Sequence, residues 1–297
     1  MNTYWIVYVA MKAMGWLSGK LSNSGRYSLG KAAGSVMRKL DSKRWNITLD
    51  NLQKAFPERA ESQRHHVAIG AYENLGQVLV ETIALPSMSA IDITRSMKIN
   101  GIDQLQYRAK NKLPSILLSG HFGNWEYLAA SAGISMNAPI TVVTHNMRNH
   151  AVNERVNAYR TAYGNKVISM DRAAKTLVHE MRNGGAVAFL VDQFADSDKN
   201  PLTTFFGRQT PTYGAPALLA LRFQVPIFYA FAVRTGPGTY SADLIQLDIT
   251  GIPSNAEGVR RLTQMHVDVL ESAIRLHPDH WSWQHRRWRP EQTVGLQ

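Results

Sequence analysis

From residue 115 onward the chain alternates between two periods, and that alternation constrains its fold more than any other feature. Short aliphatic and β-branched runs stand at 116–118, 140–144, 167–169, 186–191 and 225–233. Helix-compatible stretches fill the intervals near 124–132, 151–163, 172–183 and 213–223. Strands separated by whole helices cannot pair as hairpins. They require crossovers, which predicts an α/β fold with a largely parallel central sheet flanked by helices. A further run at 240–249 adds a strand, read as antiparallel at one edge. Upstream, 46–57 reads as a helix closed by Phe56-Pro57, and a second helix runs over about 60–85. Without an internal repeat, low-complexity tract or long linker, residues 45–297 read as a single α/β domain preceded by an N-terminal section, residues 1–44.

The chemistry gathers where the first of these strands ends. Ser119-Gly120-His121-Phe122-Gly123-Asn124-Trp125-Glu126 reads as strand end, turn and first helical turn. In one continuous helix, side chains five apart project about 140° from each other. With His121 in the turn that objection falls away, and its ring is expected to fold back towards the Glu126 carboxylate. A neutral imidazole accepts a proton from a hydroxyl, and a neighbouring carboxylate fixes its tautomer and stabilises the imidazolium. The helix N-terminus adds N–H donors, so the backbone of Gly123 or Asn124 is a candidate for the charge on an attacked carbonyl. The plain alternative is a satisfied strand-end histidine with an ordinary first-turn acid. In parallel sheets ligands sit beyond the carboxyl ends of the strands. Sequence order alone therefore also brings Asp192, at the end of 186–191, to the edge that holds His121. Taken singly, Asp192 serves equally as a turn cap, and Arg160 as a surface arginine.

The net charge of +11, on a chain that is 44% hydrophobic and 19% charged, points to an anionic partner. With no cysteine, disulfides and a thiolate nucleophile are excluded. No reading helix, zinc-ligand spacing or RNA-binding signature accompanies the charge, so nucleic acid is not the expected partner. Adjacent His65 and His66 read as surface residues without further ligands. Residues 4–17 are apolar except for Lys12, and fall short of the ~20 that span a bilayer comfortably. They suit a short or tilted anchor, a helix lying in the interface, or a helix buried on the domain. Seven basic residues and one acid follow between 20 and 44, a bias that favours a cytoplasmic domain beside anionic lipid.

The string His121-Phe122-Gly123-Asn124-Trp125-Glu126 resembles the H-x4-E/D motif of glycerolipid and lysophospholipid acyltransferases. It is similar in particular to the form found in the bacterial lipid A biosynthesis (lauroyl/myristoyl) acyltransferases. Further matches follow in order: Asn51-Leu52 with Ala55-Phe56-Pro57, Arg160 with Gly164, Asp192-Gln193, Phe205-Phe206-Gly207, Gly214-Ala215-Pro216 and the segment from Trp283 to Trp288. The likeness covers roughly residues 44–290; the short apolar N-terminus departs from it. It implies transfer of a fatty acyl group from acyl carrier protein to a hydroxyl of a lipid A precursor, without a cofactor, at the cytoplasmic face of the inner membrane. His121 is then the general base and Glu126 the residue that orients it, with Arg160 and Asp192 as site residues of unassigned role. Arg286 and Arg287 become contacts for an acidic carrier protein or a phosphorylated glycolipid, against the alternative of a charged tail. Two other readings remain at this stage: an acyl-coenzyme A-dependent enzyme for another membrane lipid, such as phosphatidylinositol mannosides, and a non-catalytic basic membrane-binding protein. The chain has no G-x-S-x-G nucleophile elbow, which favours direct transfer over an acyl-enzyme.

Overall fold

The computed structural model describes residues 3–147, 149–196 and 198–288, with the backbone alone for 3–11. Four helices come first: α1 (Thr3–Lys20), α2 (Asn23–Leu40), α3 (Ser42–Ala55) and α4 (Glu61–Ala84). Then follow α5 (Ala90–Ser96), β1 (Met97–Asn100), α6 (Ile102–Lys110), β2 (Ser115–Ser119), α7 (Trp125–Met136), β3 (Ile140–Thr144) and α8 (His150–Thr161). Next are β4 (Lys166–Ser169), α9 (Ala173–Arg182), β5 (Ala186–Leu190), a hairpin of β6 (Leu202–Phe205) and β7 (Arg208–Pro211), and α10 (Ala215–Phe223). The remainder is β8 (Ile227–Tyr229), β9 (Val233–Gly236), β10 (Thr239–Asp243), β11 (Ile245–Leu247) and α11 (Ala256–Leu276).

The central sheet has the order β11-β8-β2-β5-β3-β4. All of its pairings are parallel except β11–β8, at the edge. Helices separate the parallel strands, as the alternating periods predict. Two runs read as single strands divide between sheets. The run 225–233 supplies β8 to the central sheet and then leaves it to begin β9; the run 240–249 supplies β10 to a small sheet of order β1-β10-β9 and β11 to the central one. Between β8 and β9 the backbone passes behind the turn after β2, with the Ala230 N–H on the Leu118 carbonyl and the Ala232 carbonyl against Gly123. A straight strand cannot follow that path.

β2 is an interior strand, paired with β5 and β8 along its two edges, and both of its faces are covered: Ile116 and Leu118 are almost fully buried on one, Ser115 and Ser119 are buried on the other. That is why the strand reads as a continuous apolar run rather than an alternation. Its register with β5 pairs Ser119 with Leu190. Two residues beyond each of these lie His121 and Asp192, so parallel pairing delivers the imidazole and the carboxylate side by side.

The N-terminal helices pack on the sheet domain. α2 crosses α4 so closely that a Cβ at Gly34 would sit 2.1 Å from the Tyr72 carbonyl oxygen, and only glycine permits the approach. α1 packs on α4 and α8. It leaves Met14, Trp16 and Leu17 exposed, with the Lys20 ammonium 4.0 Å from the Trp16 ring centroid. Among the described residues, no helix is long and apolar enough to cross a membrane.

Candidate active site

The turn between β2 and α7 is held from behind. Gly123 has φ +55°, and a Cβ there would lie 1.5 Å from the Ala232 carbonyl oxygen, so the position excludes every other residue. The Gly123 N–H donates to the His280 carbonyl at 2.8 Å, and the Ser282 N–H to the His121 carbonyl at 2.9 Å. Asn124 caps α7 by accepting from the Tyr127 N–H at 2.9 Å, while its Nδ2 donates to Glu81 at 2.8 Å. Glu81 is fully buried and also accepts from Arg234 and the Tyr240 hydroxyl. A buried carboxylate with this many donors is satisfied, and it fixes the helix start in place.

His121 does not face Glu126. Its Nδ1 lies 2.9 Å from Asp192 Oδ1, while the other Asp192 oxygen accepts from the His121 backbone N–H at 2.8 Å and from Trp281 Nε1 at 2.8 Å. Burial opposes charge on Asp192, but the imidazole and the two N–H donors outweigh it and hold the carboxyl at about 2. A charged carboxylate only accepts, so Nδ1 carries the proton and Nε2 presents a lone pair. Gln193 Nε2 stands 3.2 Å from His121 Nε2. Glu126 is engaged elsewhere. Arg160 reaches it with Nε at 3.0 and 3.1 Å and Nη2 at 2.6 Å, and Trp125 Nε1 donates to it at 3.1 Å. The acid in contact with the imidazole is therefore Asp192 and not Glu126. Spacing along one turn cannot show which acid a neighbouring strand brings closer.

His121, Glu126, Arg160 and Gln193 line the mouth of a cavity of about 350 Å³. The cavity continues between α7 and the sheet, past Ala129, Ala132 and Ala188, and reaches Ile99, Leu105 and Leu244. Small side chains on both facing surfaces leave the space unfilled. Close-packed interiors rarely leave such a space without a ligand to fill it.

The profile of the family described as bacterial lipid A biosynthesis acyltransferase matches residues 1–290. The chain belongs to that family. It is 21% identical over 290 residues to the lipid A biosynthesis lauroyltransferase of Escherichia coli (strain K12), covering 97% of this chain and 93% of that relative. It is 22% identical over 288 residues to the lipid A biosynthesis palmitoleoyltransferase of the same organism, with 96% and 92% covered. The lipid A biosynthesis acyltransferase of Shigella flexneri matches to the same extent.

The enzyme is thus an acyltransferase, and the resemblance drawn from the sequence motifs holds over nearly the whole chain. In this acyltransferase His121, Asp192, Glu126 and Arg160 converge, whereas four other expected contacts are placed differently. Gly123 and Asn124 are buried and do not line the cavity, and the Gly123 N–H is already committed to His280. Arg287 is only 2% exposed and is not part of a tail. Its guanidinium donates to the carbonyls of Gln193 at 3.2 Å and Pro211 at 2.7 Å, and to Thr212 Oγ1 at 2.6 Å. Burial draws it down to about 10, although Asp192 nearby works in the other direction. Arg286 is exposed, and with Lys43, Lys54 and Trp288 it lines an open surface groove away from the cavity. Trp281 and Glu81 escaped the sequence reading. An indole N–H donor within a tryptophan-rich segment was the one available signal for Trp281; nothing in α4 marks Glu81.

Proposed function

We propose that this acyltransferase moves a fatty acyl chain from an acyl carrier protein thioester to a hydroxyl of a lipid A precursor. The observation that carries this reading is the apolar cavity that begins beside His121 and runs between α7 and the sheet, a shape suited to an extended hydrocarbon chain. The activities for which the relatives are named, lauroyl and palmitoleoyl transfer in lipid A biosynthesis, agree with it. With the chain in the cavity, the thioester carbonyl lies at the mouth. His121 Nε2 removes the proton from the acceptor hydroxyl as its oxygen bonds to the carbonyl carbon. Asp192 stabilises the imidazolium through Nδ1. The tetrahedral intermediate then collapses, the carbon–sulfur bond breaks, and the thiol leaves with the proton from Nε2. Glu126 neutralises Arg160 at the mouth and fixes its direction. Burial pulls the Arg160 guanidinium down, but the Glu126 carboxylate more than offsets this and keeps it charged.

The surface supports an anionic donor and a membrane-bound acceptor. Arg286 and Lys43 suit an acidic carrier protein, and Trp16 and Leu17 on α1 suit a lipid interface at the inner membrane. Incubating the purified enzyme with acyl carrier protein and coenzyme A thioesters, and with a phosphorylated lipid A precursor, tests the reading. The expected product is the precursor heavier by one acyl chain, formed with the carrier-protein donor. No acylated product from either donor would overturn it. Transfer from the coenzyme A thioester alone would reassign the donor.

A further inference from the structure

We propose that the Gln193 carboxamide donates the hydrogen bond that stabilises the oxyanion formed when the acceptor hydroxyl attacks the thioester. This rests on the acyl-transfer reading above. A carbonyl oxygen that gains negative charge needs donors about 2.7–3.1 Å away, set in place beforehand. The backbone groups first expected to serve are accounted for. The Gly123 N–H is bonded to His280, and Asn124 is buried away from the cavity. Among the described residues, Gln193 is the side chain that hydrogen-bonds His121 Nε2, at 3.2 Å.

The orientation of that amide follows from its neighbours. Asp192 leaves the proton on Nδ1, so Nε2 is an acceptor and must face the NH₂ end of Gln193 rather than its oxygen. When the acceptor hydroxyl takes its place at Nε2, the NH₂ group is released from the imidazole. It is then a donor within hydrogen-bond reach of the reacting atoms, because the hydroxyl oxygen sits about 3 Å from the base and its new bond leads to the carbonyl carbon. Little reorganisation is needed, since the main chain at Gln193 is tied down. Its carbonyl accepts from the buried Arg287, which is itself held by Pro211 and Thr212. Arg287, first expected to touch substrate, is in this arrangement a positioning residue for Gln193.

Steady-state kinetics on the full-length enzyme test the proposal, with His121→Ala as reference. Gln193→Leu is expected to lower kcat by about 10²–10³-fold, as for loss of one oxyanion donor, with KM changed by no more than about threefold. Its pH–rate profile should keep the wild-type shape at a lower plateau, whereas a residue that merely held the imidazole would shift the profile. Gln193→Glu is isosteric but replaces a donor with an anion, and should be at least as inactive as Gln193→Leu. An unchanged melting transition in Gln193→Glu excludes misfolding as the cause. If wild type transfers acyl chains, His121→Ala does not, and Gln193→Leu keeps kcat within about threefold, this proposal fails while the acyl-transfer reading stands. If wild type transfers nothing, both fail together.

Discussion

Asp192 and Glu126 are both buried acids at the carboxyl end of the same sheet, one following β5 and the other opening α7, yet they are held in opposite ways. Asp192 is surrounded by N–H groups that belong to the β2–α7 turn and to Trp281, with the His121 ring among them. Glu126 meets a full cation, Arg160, in a two-point pair at the cavity mouth. An acid fixed by neutral donors keeps a net negative charge to lend to a developing imidazolium. An acid matched with a guanidinium has its charge cancelled and contributes shape and rigidity instead. Two buried carboxylates thus sit in opposite electrostatic settings, and the partner sets which.

The comparison breaks most visibly in the rate. His121→Ala and Asp192→Asn should each lower kcat by about 10²–10⁴-fold with substrate binding retained, and the double variant should be little slower than the slower single. Near-wild-type turnover in a folded Asp192→Asn enzyme would return the orienting role to Glu126. On the other side, Glu126→Gln or Arg160→Gln leaves one buried charge without its partner and should reduce stability by about 3–5 kcal/mol. The double variant should recover part of that loss. Denaturant melts of the three proteins decide this, and additive losses would mean that the two residues do not act as a pair.

Acid should then separate the two regions. His266, whose ring neighbours that of Tyr229, is fully buried and held down to about 3, chiefly by burial and also by Arg287. Unfolded, such a histidine titrates near ~6.5, so between these values the unfolded chain binds a proton that the native one refuses. Stability should therefore fall as pH drops from ~6.5 towards 3. Asp192 adds a second loss below its unfolded value of ~3.9, complete as the pH passes about 2. His266→Phe should flatten the first part of this fall, as measured by thermal melts between pH 7 and 4. Curves that remain parallel to wild type would remove His266 as the cause. The smallest effect belongs to the surface: Arg286→Ala should raise the KM for the carrier-protein donor a few-fold and weaken the salt dependence, without altering kcat. An unchanged KM would leave the groove without a part in donor binding.

Much of this architecture is legible in the residues. The alternating periods give the parallel sheet, β3 runs over the residues read as a strand, and α3 and α4 end where Phe56 and Leu85 close them. The turn after β2 is legible because small residues and glycine follow an apolar run. Which acid meets His121 was not legible, since that follows from Ser119 pairing with Leu190 across some seventy residues. Nor was the fate of Arg287. Two adjacent arginines beside Trp283 and Trp288 read as substrate contacts or a charged tail, and only the carbonyls of Gln193 and Pro211, with the Thr212 hydroxyl, explain why one of them turns inward. The β6–β7 hairpin went unread because its strands, Leu202–Phe205 and Arg208–Pro211, are short and mostly polar.

The segment behind the β2–α7 turn has a consequence for how the enzyme comes into being. His280, Trp281 and Ser282 hold Gly123, Asp192 and His121 through direct hydrogen bonds, so the site is completed by residues near the end of the chain. Synthesis proceeds from the N-terminus at about 5–20 residues per second, and the sheet can begin to form well before these residues emerge. A nascent chain can therefore carry His121 and Asp192 at neighbouring strand ends for several seconds without the clasp that fixes them. A chain cut short before Trp281 lacks the hydrogen bonds that tie Asp192 and His121 to this segment, and is expected to lose acyl transfer even where its strands form.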